Sequence, residues 1–196
     1  MVSTPELSDE TRACVAAQLG PALGALTAVA PLEGQPALGE SLPILLLTEE
    51  AILDPDGGPL GRRVLDQGRW HHQIYVGDAV PAYARSETPD GGDQPVELAE
   101  ISHSSLAGDI RAAMAWIDEN VPDEGIARLI MAPSHQVAAL WLDGPGLDHV
   151  LVLSAPRWIE EFITKRPVEQ RTFIEALSRT PAIPGMGLRI DLEGEE

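Results

Sequence analysis

Three apolar runs, at residues 127–132, 136–142 and 149–154, constrain this chain most. Only Pro133-Ser134-His135 separates the first from the second, and Asp143-Gly144-Pro145-Gly146-Leu147-Asp148 the second from the third. Connections this short join antiparallel neighbours, because a parallel pair needs a crossover of about a dozen residues or more. Just upstream, Leu106, Ile110, Ala113, Met114, Ile117 and Val121 recur at the spacing of one buried helical face. Ser104 or Ser105 caps that predicted helix and Pro122-Asp123-Glu124-Gly125 ends it.

The remaining segments extend the same pattern. Thr4 can cap a first helix with Pro5 at its first position, running to Leu19 and interrupted at Gly20-Pro21. Residues 30–41, rich in Pro and Gly, read as loop, and Ile44-Leu45-Leu46-Leu47 as a buried strand or an edge element. Residues 70–76 and 79–86 form a hairpin about Gly77-Asp78, with Pro81 marking an edge or a bulge. After a polar loop over 88–95, residues 96–101 add a short strand, and 157–166 and 168–178 read as helices following Pro156 and Pro167. Helix, strands, helix, strands, helix predicts an α+β fold, an antiparallel sheet with helices packed mainly on one face. One globular domain over 1–179 is expected, followed by a strap and acidic tail over 180–196.

Composition narrows the function classes. Thirty-one acids against 13 bases give a formal charge of −18. Phosphate contacts need Lys and Arg, so direct nucleic-acid binding is not expected. No apolar run approaches the roughly 18 residues of a spanning helix, so no membrane partner is expected. The opening MVSTPELSDE lacks the basic and apolar regions of a signal peptide, and a cytoplasmic protein is the default. The lone cysteine, Cys14, excludes an internal disulfide and a four-cysteine zinc site.

The chain carries no P-loop, no G-x-G-x-x-G, no G-x-S-x-G and no H-E-x-x-H. His71 and His72 are neighbours on a predicted strand, so they point to opposite faces, one to the core and one to solvent. A metal site drawn from His72, His135 and His149 has no spacing to support it, and neither a metal nor a cofactor is expected. Cys14 sits among apolar helical neighbours and reads as a small buried hydrophobe. Glu97 and Glu100 flank a strand and are the acids best placed for burial. Trp70, Trp116 and Trp141 read as core. Trp158, within Pro156-Arg157-Trp158-Ile159, suits an exposed anchor, since Trp and Arg are enriched at interface hot spots. Trp158, Phe162 and Ile163 also recur at helical spacing, which suits core packing equally.

Residues 70–89 read WHHQIYVGDAVPAYARSETP. Through Trp70, Ile74, Pro81, Ala84, Arg85, Ser86 and Pro89 this segment resembles the central hairpin of the chorismate lyase family and of the related ligand-sensing UTRA domains. Ser105-Leu106-Ala107-Gly108 opens a helix with a similar Leu-Gly pair. The resemblance implies a ligand-binding sheet-and-helix fold. It does not carry the lyase chemistry over. His72 stands where the lyase has a carboxylate-gripping arginine, and a neutral imidazole does not replace a bidentate guanidinium. Val150-Leu151-Val152-Leu153 lacks the family's late acidic residue, and the segment from Pro156 onward is an addition.

The first expectation is therefore a non-catalytic accessory domain that binds another protein, with Arg157, Trp158 and Phe162 as the interface. The alternative is a small-molecule site built from His72, Arg85, His135 and Trp70. A lyase or hydrolase with a spatial His/acid pair ranks third, and no catalytic residue is assigned. A homo-oligomer is compatible with the sequence.

Overall fold

The computed structural model describes residues 2–27, 36–54, 56–76, 79–87, 96–102, 105–162 and 166–184. The Gly77-Asp78 turn, the 88–95 loop, Pro89, His103, Ser104 and the tail from 185 lie outside the described residues. Among the described residues the chain forms β1 (Val2–Ser3), α1 (Asp9–Thr27), β2 (Pro36–Leu47), α2 (Glu49–Leu53), β3 (Val64–Val76), β4 (Ala79–Glu87) and β5 (Glu97–Ser102). It continues with α3 (Ser105–Asn120), β6 (Gly125–Ala132), β7 (Val137–Gly144), β8 (Leu147–Ser154), β9 (Pro167–Glu169) and α4 (Gln170–Arg179). None of these helices is long and apolar enough to cross a membrane.

The nine strands among the described residues form one sheet in the order β5-β4-β3-β2-β6-β7-β8-β9, with β1 paired to the start of β6. It is two antiparallel meanders, each beginning at the centre and stepping outward. The expected antiparallel sheet is thus mostly right, but β2 and β6 meet in parallel, Ile44 opposite Leu129, and so do β1 and β6. α3 is the long crossover that a parallel joint requires.

Helices lie on both faces of this sheet, α3 on one and α1, α2 and α4 on the other. Along β2, Leu42, Ile44 and Leu46 join the cluster under α3, with Ile110 and Ile117. Leu45 and Leu47 point the other way, into a cluster with Ile52 of α2 and Phe173 and Leu177 of α4. Val15 and Leu19 of α1 cover Ile74, Ala82 and Ala84. Strand side chains alternate, so an uninterrupted Ile-Leu-Leu-Leu run is stable only where both faces are covered. That places Ile44–Leu47 at the sheet centre rather than at an edge.

Several boundaries differ from the sequence reading for local reasons. Ser8, not Thr4, caps α1: the Thr11 N–H donates to Ser8 Oγ at 3.1 Å. α1 also runs through Gly20-Pro21. The hydrogen bond lost at Pro21 is offset because Val15 and Leu19 anchor the preceding turns on the sheet. Residues 36–41 are strand, not loop, and absorb Gly39-Glu40 as an irregularity in the register between Leu38 and Ser41. Pro81 lies beyond the reach of β5, whose pairing with β4 starts at Tyr83, and close to the register shift between Ile74 and Val76. After β8, Pro156 to Phe162 forms successive turns rather than a helix, closed by Ile159 N–H to Pro156 O and Phe162 N–H to Ile159 O, both 3.1 Å. The helix expected over 168–178 is preceded by the short strand β9. Beyond α4, the Ile183 N–H donates to Ser134 O at 2.7 Å, fastening the chain across the β6–β7 connection.

Candidate functional site

The residues singled out as a ligand set do not converge. On β3 and β4, His72 lies opposite Ala84 and His71 opposite Arg85. Alternation therefore sends His72 and Trp70 to the α1 face and Arg85 to the α3 face. His135 sits in the β6–β7 connection of the other meander. No group of three or more His, Cys, Asp or Glu side chains among the described residues is placed to share a metal ion.

Both neighbouring histidines are fully buried, so neither faces solvent as expected. The reason is again that both faces are covered here. His72 is held between two hydroxyls, Nδ1 to Ser41 Oγ at 2.8 Å and Nε2 to Ser86 Oγ at 2.7 Å. Burial, reinforced by the charge of Arg12, lowers its pKa to about 4. A neutral ring with both nitrogens occupied is a structural crosslink between β2, β3 and β4.

His71 differs. It stacks on Tyr83 and lies near Arg85, and neither ring nitrogen has a hydrogen-bond partner among the described residues. Burial first, then the positive charge of Arg85, lowers its pKa to about 3. Arg85 Nη1 pairs with Glu100 Oε2 at 3.1 Å, while its buried Nε also lacks a partner. Tyr83 OH donates to Glu100 Oε1 at 3.2 Å, and the Arg85 guanidinium lies 5.1 Å from the Tyr83 ring centre. Glu100 is thus the neutralising partner of Arg85, and Glu97 is exposed.

The remaining candidates divide. His135 is buried and fully engaged: Nδ1 pairs with Ser134 Oγ at 2.9 Å, and the protonated Nε2 donates to Thr180 O at 3.0 Å. Trp141 is buried, Trp70 half-buried, and Trp116 partly buried against the α3 cluster. Cys14 is partly buried, its thiol 3.4 Å from Val96 O. Of the expected interface, Arg157 is exposed and Trp158 is 61% exposed. Phe162 is not available: it is buried and stacked on Phe173, ring centres 5.2 Å apart.

A concavity that the sequence reading missed lies between α2, residues 56–63 and α4. It has a volume of about 660 Å³ and is open to solvent, with Ile52, Leu60 and Ile174 among its apolar lining. A second, of about 270 Å³, shares Leu53 and Ser178 with it and continues toward His135 and Thr180. Leu53 is 58% exposed where the two meet.

The walls of this trough are built with care. Thr48 caps α2, its Oγ1 accepting from the Ala51 N–H at 3.3 Å. Arg63 is buried and carries no carboxylate ion pair among the described residues. Its guanidinium instead donates to three carbonyls: Gly58 O at 2.8 Å, Ala51 O at 2.6 Å and Asp54 O at 2.8 Å. It so ties the exposed carbonyl end of α2 to the following loop, where a cation is favoured. A Cβ at Gly57 would lie 2.7 Å from Arg63 Cζ, so this glycine makes room for the guanidinium. The Leu60 N–H donates to Gln170 Oε1 at 3.2 Å, joining this loop to α4. The sequence from Asp54 to Pro59 reads as a turn cluster, and nothing local marks Arg63 as its organiser.

Comparison of the chain with protein-family models, with curated proteins and with solved structures finds no match.

Proposed function

We propose that this protein is a non-catalytic accessory domain that binds another protein through the trough between α2 and α4. The observation that supports this reading is an open, partly apolar concavity of about 660 Å³ with Leu53 exposed on its rim. Exposed large apolar residues beside an open groove are a feature of interaction surfaces. The arrangement of the histidines agrees with it: His72 and His135 are buried and engaged, so neither is free to move a proton at a substrate.

A second reading, the small-molecule domain implied by the chorismate lyase and UTRA resemblance, is favoured by one observation. The unpartnered nitrogens of His71 and Arg85 lie beside Tyr83, at a place where a small polar ligand would find donors and an aromatic wall. Native mass spectrometry of the protein purified gently from its own host, as wild type and as Leu53→Asp, separates the two. A protein bound at fixed stoichiometry to the wild type and lost from Leu53→Asp supports the interaction reading. A bound protein that persists in Leu53→Asp, or a small adduct released on denaturation in its place, counts against it.

A further inference from the structure

We propose that the α2–α4 trough takes a basic amphipathic helix of a partner protein. This rests on the protein-interaction reading and specifies its occupant. The first argument is charge. Glu49, Asp54, Asp56 and Asp148 line the two concavities, and none is in an ion pair among the described residues. The arginines that line the concavities are already engaged. Arg63 is spent on backbone carbonyls, Arg171 pairs with Glu175 at 2.7 Å, and Arg179 pairs with Glu161 at 3.0 Å. An incoming acidic segment would meet uncompensated carboxylates; an incoming basic one would meet partners. The chain's charge of −18 steers encounters the same way.

The second argument is shape. On α4 the lining residues Gln170, Arg171, Ile174, Glu175 and Ser178 follow helical spacing along one stripe. Gln170 to Ser178 spans about 12 Å at 1.5 Å per residue, room for about two turns of a partner helix. Apolar residues at i, i+3, i+4 and i+7 of that helix would seat on the half-buried Ile174 and the exposed Leu53, above the buried floor of Ile52 and Leu60, leaving its basic face to the acidic rim.

The test uses a fluorescein-labelled Leu/Lys peptide of about 14 residues with leucines at i, i+3, i+4 and i+7, and its Leu/Glu counterpart. Anisotropy measures binding, and amide chemical shifts map it. The expected result is Leu/Lys binding that weakens with salt, with shifts along 51–60 and 170–180. Leu53→Asp and the double variant Asp56→Lys/Asp148→Lys should each weaken it about tenfold or more, while Asp118→Lys/Glu119→Lys on exposed α3 changes it less than about twofold. Equal weakening by the α3 variant, dispersed shifts or no binding would overturn the proposal. Leu/Glu binding that is lost in Leu53→Asp would also overturn it, while leaving the protein-interaction reading in place. That reading fails separately, through the native mass spectrum.

Discussion

The imidazole of His71 stacks on the ring of Tyr83, centroids 4.7 Å apart and planes 28° from parallel, with neither imidazole nitrogen hydrogen-bonded among the described residues. Stacking and burial suit a neutral ring only. The folded pKa values of His71 and His72, about 3 and about 4, lie below the ordinary 6.5. The unfolded chain therefore binds more protons as the pH falls. Stability is full above about pH 6.5 and declines below it by up to about 1.4 kcal/mol per pH unit for each ring, levelling off near the folded values. Denaturant titrations of His71→Phe, which keeps an aromatic ring there, should lose roughly 2 kcal/mol less than wild type between pH 7.5 and 5. An identical loss in both proteins would show that His71 is not held neutral.

Arg63 holds three carbonyls at the α2 end of the trough. Arg63→Ala should cost about 3 kcal/mol by leaving those acceptors unsatisfied, and Arg63→Lys should recover only part of it, since one ammonium does not reproduce the planar fork. Urea midpoints at constant m-value measure this. Full recovery in Arg63→Lys would mean that charge alone matters.

Gln18 caps an exposed sheet edge. Its Nε2 donates to Val96 O at 2.9 Å, and its Oε1 accepts from the Leu98 N–H at 3.0 Å. The side-chain amide imitates a neighbouring strand and blocks pairing at an edge that would otherwise be a template for association. Gln18→Glu keeps the acceptor but loses the donor, so it should cost about 1–2 kcal/mol and increase concentration-dependent association. Sedimentation velocity that stays monodisperse across concentration in both proteins would remove the edge-blocking role.

Two glycines should respond in opposite directions. A Cβ at Gly108, on the exposed side of α3, meets nothing within 4 Å, so Gly108→Ala should stabilise by about 0.5–1 kcal/mol. A Cβ at Gly144 would lie 2.5 Å from Glu124 O and 2.9 Å from Gly125 Cα, both backbone, so Gly144→Ala should cost about 1–3 kcal/mol. Thermal melts that move the same way for both would contradict this packing.

Local pattern carried much of the second meander. The stripe from Leu106 to Ile117 matched the buried face of α3, and the short connections around Pro133 and Pro145 matched antiparallel neighbours. The candidate sites were less legible. His72 and Arg85 are close in sequence, but strand alternation divides them between faces. Phe162 is withdrawn from the surface by Phe173, and Arg63 gains its role only because the end of α2 folds back over it.

The sequence by itself determined the elements whose signal is local: the α3 stripe, the apolar strands, the short connections between the last three strands and the acidic charge. Periodicity, turn chemistry and charge act within a few residues, so a single chain read in order contains them. Only the tertiary structure decided that β2 and β6 meet in parallel at the sheet centre, that helices cover both faces, and that α2 and α4 leave a trough between them. Those outcomes depend on contacts between segments far apart in the chain, where burial of one face is possible only once another element has arrived to cover it.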